Sequence, residues 1–187
     1  FHQQAAAYEK AAVVQREIGE RLFERLSYLK IQPKYVLDLG CGTGVFSKKL
    51  QALYPDAVIV SFDIAHDMLL ETQKKSNSDQ NLHCVRGDMQ ALPFVNNLFD
   101  LVFSNQVLHW TPDWQGLVRE LGRVMQPEGC LMFSTLGPDT FLELREAAAP
   151  GFAHMNAFVD MHHIGDILLT ERFLDPVVDM EMLTVHY

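Results

Sequence analysis

The chain has 187 residues, a formal charge of −9, and 48% hydrophobic against 21% charged residues. That length and mixture suit one globular domain with a sizeable core. The acidic balance argues against a nucleic-acid groove, which needs clustered Lys and Arg to meet phosphate. No apolar run reaches the length of a bilayer span, so no membrane partner is expected. The sequence opens on Phe1 and shows no signal-peptide blocks, so its visible start is expected to be trimmed. Cys41, Cys84 and Cys130 are odd in number and form no C-x-x-C pair. They are expected to be reduced thiols of a cytoplasmic protein.

Residues 3–29 are expected to form one or two helices, with Ala11, Val14, Ile18, Leu22, Leu26 and Leu29 on one apolar face. After a loop at Ile31–Lys34, the apolar run Tyr35–Leu39 predicts a short buried strand. It leads into Gly40, Gly42 and Gly44, and helical spacing resumes at Val45 and continues to about Tyr54. Strand, glycine turn and helix together present backbone N–H groups and a helix N-terminus to a ligand. Glycine is needed where a Cβ would block the ligand or the backbone angle. Val45 breaks a G-x-G-x-x-G dinucleotide fingerprint, and Thr43-Gly44-Val45 does not end a P-loop.

The β-branched run 57–62 ends in Asp63 and predicts a second strand, followed by a helix over Ala65–Lys75. An acid at that place in a doubly wound fold accepts from both ribose hydroxyls. The other role open to Asp63 is the N-cap of the following helix. A third strand at 81–85 leads to Gly87-Asp88-Met89 and Leu92-Pro93-Phe94. The fourth spans Phe99–Asn105, with Val107, Leu108, His109 and Trp110 beyond it. Asp113 starts an amphipathic helix, which Pro127-Glu128-Gly129 is expected to end. A fifth strand is predicted at 130–136, a helix opened by Pro138, a helix over Ile164–Phe173 and a long sixth strand at Val177–Val185. Strands alternating with helices imply an α/β, doubly wound, mostly parallel sheet. His154, Asp160, His162 and His163 lack a chelating spacing and are expected to be surface or capping residues rather than metal ligands.

The pattern Asp38-x-Gly40-x-Gly42-x-Gly44, the acid at 63, Gly87-Asp88 and the end of the fourth strand resemble, in order, the motifs of class I S-adenosylmethionine-dependent methyltransferases. The resemblance implies a Rossmann-like fold and S-adenosyl-L-methionine as cofactor. The implied cofactor-binding residues are Asp38, Gly40, Cys41, Gly42, Gly44, Asp63, Ile64, Met68, Gly87, Asp88, Met89 and Asn105. It further implies a division of one domain into an N-terminal helical lid (1–30), a cofactor-binding core (31–136) and a substrate side (137–187). The blocks at 5–8, 12–17, 133–140 and 160–166 look like malonyl-[acyl-carrier protein] O-methyltransferases of biotin biosynthesis. This implies methylation of the free carboxylate of malonyl-acyl-carrier protein or malonyl-CoA, with Tyr8, His109 and Arg145 as candidates around the acceptor. Methyltransferase-like assembly factors or hydroxylases of the respiratory complex I type share several blocks, and another small-molecule acceptor is a further alternative. The family's sheet has seven strands, and no residues after Tyr187 supply the last. The sequence is therefore expected to be truncated before it.

Overall fold

A computed structural model describes residues 11–76, 81–143 and 158–184. Among them, five parallel strands stand in the order β3-β2-β1-β4-β5. They are β1 (Tyr35–Leu39), β2 (Val58–Asp63), β3 (Leu82–Arg86), β4 (Phe99–Asn105) and β5 (Met125–Ser134). The helices are α1 (Val13–Arg25), α2 (Val45–Leu53), α3 (His66–Ser76), α4 (Trp114–Val124) and α5 (Met161–Thr170). This is the expected α/β architecture, with its topological switch between β1 and β4.

The period-two pattern of the strands sorts the core onto two faces. Val36, Ile59, Leu101 and Phe103 pack with Leu26, Phe46 and Leu50 from the α1–α2 side. Leu37, Val60, Phe62 and Val102 pack with Leu117, Leu121, Ile164 and Leu168 from α4 and α5. Both faces are covered, which is why these strands read as near-continuous apolar runs. The expected Asp113 cap is present, its Oδ1 accepting the Gly116 N–H at 2.8 Å.

Three expectations fail. Helix α4 ends at Val124 and β5 begins at once, so Pro127-Glu128-Gly129 ends no helix. Met125 pairs with Phe99 and Cys130 with Leu101, and the residues between them bulge, with Glu128 at φ +66°. Pro138 opens consecutive turns, with Phe141 at φ +58°, and helix starts only at Leu142, its continuation beyond 143 lying outside the described residues. The described part of the expected sixth strand, 177–184, forms no strand. It finds no ladder partner among the described residues. Its acids instead meet α1, where Arg25 Nη2 lies 2.8 Å from Asp179 and Arg21 Nη1 lies 2.9 Å from Glu181.

Helix α1 is seated on the sheet through Gly19. A Cβ there would stand 2.2 Å from the Phe46 ring and 2.7 Å from Asn105 Nδ2. The Phe46 ring is itself held between Phe23 and Phe103, with centroids 6.4 and 5.5 Å away. Gly19→Ala is therefore expected to destabilise the fold by about 1–3 kcal/mol through overpacking. Urea unfolding checks this, and an unchanged midpoint would show that α1 is not fixed at Gly19.

Candidate functional site

The three glycines of the first turn all have positive φ, at +73°, +54° and +75° for Gly40, Gly42 and Gly44. Their surroundings differ. A Cβ on Gly40 would strike Val107, and one on Gly44 would strike Thr72. A Cβ on Gly42 would meet nothing within 4 Å. Gly40 and Gly44 thus serve internal packing, and Gly42 faces open space. Both of its backbone polar groups are held. The Gly42 N–H donates to Asp63 Oδ2 at 2.9 Å, and Thr72 Oγ1 donates to the Gly42 carbonyl at 3.0 Å.

Asp63 makes a capping contact, one of the two roles the sequence left open to it, and a tie to the glycine turn stands beside that contact. Its Oδ1 accepts the Ala65 N–H at 2.8 Å ahead of α3, while Oδ2 ties the glycine turn to the end of β2. Burial raises its pKa against the lowering effect of these backbone N–H groups. Asp38 is 2% exposed and accepts from Ser47 Oγ at 2.5 Å, and Ser61 Oγ donates on to Ser47 Oγ at 2.8 Å. Burial pushes the Asp38 carboxyl up to about 7, and the nearby Asp63 charge adds to the rise.

The first helical turn of α1 completes a cavity over the glycine turn. Asp38, Gly40, Cys41, Gly42 and Asn105 line it, and so do Ala12, Gln15 and Arg16. Asn105 binds α1 directly, its Nδ2 donating to the Gln15 carbonyl at 2.9 Å, and Ser134 Oγ donates to its Oδ1 at 2.8 Å. The remaining expected residues lie along the same carboxyl edge of the sheet but outside this cavity. Ile64 follows β2 with 63% of its surface exposed, whereas Met68 is buried on α3. Gly87, Asp88 and Met89 follow β3, with Asp88 exposed and Met89 against the core. The thiol of Cys41 is buried, and its pKa is pushed up by that burial.

Beyond β4, Leu108–Trp110 form a single 3-10 turn. The His109 ring packs against Trp110 and, edge-on, Phe158, with centroids at 5.2 and 5.7 Å. Its Nδ1 is buried without a hydrogen-bond partner, and burial lowers its pKa, favouring the neutral imidazole. Thr135 Oγ1, just after β5, is the other such orphan among the described residues. Tyr8, Arg145 and His154 lie outside the described residues. Asp160 caps α5 by accepting the His162 N–H at 2.8 Å.

Sequence reasoning missed Thr72, Val107 and the α1 residues Gln15 and Arg16. Gly19 was the available signal for the last two, because a glycine inside a helix often marks a close approach.

A family profile described as a methyltransferase domain matches residues 37–133. The chain is 56% identical to the malonyl-[acyl-carrier protein] O-methyltransferase of Legionella pneumophila, covering 100% of the chain and 66% of that protein. It is 45% identical to the protein of the same name from Gallionella capsiferriformans, covering 100% of the chain and 67% of the relative. The chain thus spans about two thirds of the length of the curated relatives it matches. Its fold resembles that of an S-adenosylmethionine-dependent methyltransferase from Aquifex aeolicus, with a TM-score of 0.69, 19% identity, and 90% and 87% of the two chains covered.

Asp38 gives the site a pH signature. The native carboxyl, near 7, holds its proton where the unfolded one, near 3.8, has lost it. The native state therefore binds more protons between these values, and stability falls as pH rises through that window. Relative to Asp38→Asn, the wild type is expected to lose stability between pH 4 and 7 and to keep a constant gap above. Urea midpoints across this range check it, and a pH-independent gap would show that Asp38 titrates normally.

Proposed function

We propose, on the premise that the chain belongs to the methyltransferase domain family, that it binds S-adenosyl-L-methionine along the carboxyl edge of the sheet. We further propose that it methylates the free carboxylate of a malonyl thioester on acyl-carrier protein, a step of biotin precursor synthesis. The cofactor assignment is carried by Gly42, whose N–H and carbonyl are both pinned while its α-carbon faces open space. That is the place where a ligand can approach the backbone closely. The substrate assignment is supported by similarity, over the whole of this chain and about two thirds of theirs, to curated relatives of that name.

The residues present fit the cofactor. Asp63 keeps lone pairs for ribose hydroxyls after accepting two backbone N–H groups. Asp88 is exposed and available to an adenine amino group. Asp63 offers negative charge to a cationic ligand, and Asp38, its pKa about 7, is poised to ionise beside one. When bound, S-adenosylmethionine supplies an activated methyl group on a sulfonium. The acceptor carboxylate is ionised at neutral pH, with a reference pKa near 4, and needs no general base. The protein's work is then to align the acceptor and exclude water.

We assign residues 1–30 to a lid, 31–136 to the cofactor core and 137–187 to the substrate side. The contact of α1 with the cavity supports the first of these. His109, Tyr8 and Arg145 are proposed around the acceptor. Neutral His109, with Nδ1 unpartnered, offers a hydrogen bond to it. Arg145 offers a bidentate fork to a carboxylate. The free cysteines fit a cytoplasmic setting, and no helix of the described residues is long and apolar enough to cross a membrane.

Asp63→Ala is expected to weaken S-adenosylhomocysteine binding at least tenfold, about 1.4 kcal/mol, in calorimetry. Unchanged affinity would remove Asp63 from the site. Labelled methyl from the cofactor should appear on malonyl-acyl-carrier protein, with malonyl-CoA run beside it. Cofactor binding without transfer to either would identify a binding protein or a different acceptor.

A further inference from the structure

The connection from β3 to β4 is irregular, yet one side chain of α4 fixes much of its backbone. Arg123 Nη1 donates to the Phe94 carbonyl at 2.8 Å and to Asn96 Oδ1 at 2.9 Å. Its Nη2 donates to the Leu92 carbonyl at 2.9 Å and to Glu120 Oε1 at 2.7 Å, and Nε donates to Glu120 Oε2 at 2.8 Å. Glu120 Oε1 in turn accepts the Leu92 N–H at 2.8 Å. The pair therefore satisfies both backbone groups of Leu92 and a third at Phe94. Leu92 is buried, and the Phe94 ring meets Phe62 and Phe99 with centroids at 5.8 and 5.0 Å.

This clamp lies one turn from Asp88. The Ala91 N–H donates to the Asp88 carbonyl at 3.1 Å, and the Gln90 N–H donates to Asp88 Oδ1 at 2.9 Å. Gln90 Nε2 ties the same turn to Thr111 Oγ1 at 2.9 Å. On the other side, a Cβ on Gly87 would stand 2.7 Å from the Phe62 ring and 3.7 Å from Pro93. The turn bearing Asp88 is thus seated between the β2 core and a loop that Arg123 holds in place. Asp88 Oδ2 keeps no hydrogen bond among the described residues and remains exposed.

We propose that Arg123, together with Glu120, is a positioning residue for purine recognition: it sets the 87–94 loop so that Asp88 meets the exocyclic amino group of adenine. The proposal rests on the cofactor assignment made above. A guanidinium is suited to the task because its planar fork donates to two carbonyls and a carboxylate at once, which an ammonium on a flexible stem does not reproduce. Hydrogen bonds to charged groups are also stronger than neutral ones, which favours a stiff loop.

The test uses S-adenosylhomocysteine and its deaminated analogue S-inosylhomocysteine, which replaces the purine amino group by an oxygen. Calorimetry on the full chain gives the affinity of each. The wild type is expected to prefer the adenine form. Arg123→Lys should weaken S-adenosylhomocysteine about fivefold and lower the preference for adenine at least about threefold. Glu120→Gln, which keeps an oxygen for the Leu92 N–H, should shift the preference in the same direction by less. A merely structural role would lower the thermal midpoint and leave the preference unchanged. That result in both variants overturns the proposal. A wild type that binds both ligands equally removes Asp88 from purine recognition, and the proposal with it. A wild type that binds neither overturns the cofactor assignment itself.

Discussion

The hydrogen bond from the Gly42 N–H to Asp63 Oδ2 is the constraint on which the site depends. A peptide flanked by left-handed residues cannot enter a helix or a ladder, so its polar groups need partners from elsewhere in the fold. The strand order supplies them. With β2 beside β1, the acid ending β2 reaches the turn that ends β1. The Phe62 carbonyl also accepts the N–H groups of Gly40 and Cys41 at 2.8 and 3.0 Å. Helix α3, which follows Asp63, brings Thr72 back to the carbonyl of the same glycine. The turn is therefore shaped before any ligand arrives, and a ligand need not supply the free energy of ordering it.

The same packing gathers negative charge. The Asp63 charge raises the cost of ionising Asp38 on top of burial, and burial raises that cost for Asp63 itself. The Ser61–Ser47–Asp38 relay lowers that cost for Asp38 by hydrogen bonding to its charged form. A cation entering the cavity would lower it further. Among the described residues Asp38 and Asp63 accept hydrogen bonds from Ser47, Gly42 and Ala65, which suits a positively charged group beside them, while Arg16 lines the same cavity as Asp38. The departure of the turn from dinucleotide and triphosphate fingerprints points the same way.

Much of this was legible in the sequence because strong local patterns decided it. The apolar run Phe99–Asn105 became β4 with the expected ends, and Asp113 became a cap. The glycine turn was legible as a site for the same reason, since alternate glycines after a buried strand have few other uses. What was not legible is tertiary. Nothing in the sequence separates Gly42, which faces space, from Gly40 and Gly44, which make room for Val107 and Thr72. Arg123 reads as a charge on an amphipathic helix, and only the fold shows the carbonyls of Leu92 and Phe94 beneath it. The bulge at 126–129 was misread because Pro and Gly mark a helix end and a bulge with the same residues. The segment 177–184 has a strand's alternation, but alternation specifies a face to bury and not the neighbour that buries it.

That segment has a consequence for how the protein behaves at high concentration. Val177 is 92% exposed, and Leu174, Met180 and Met182 are exposed with it. A stretch rich in apolar and β-branched residues of this kind invites strand addition from other molecules, and charges placed within it act as gatekeepers. Here the gatekeepers are Asp179 and Glu181, and they also anchor the segment to Arg21 and Arg25. Glu181 holds its charge to lower pH than an ordinary carboxylate because of those arginines. Mild acid therefore leaves the segment both tethered and charged. Stronger acid, below the range where Glu181 ionises, removes its share of the tether and frees Arg21 and Arg25 from it, so the segment loosens from α1.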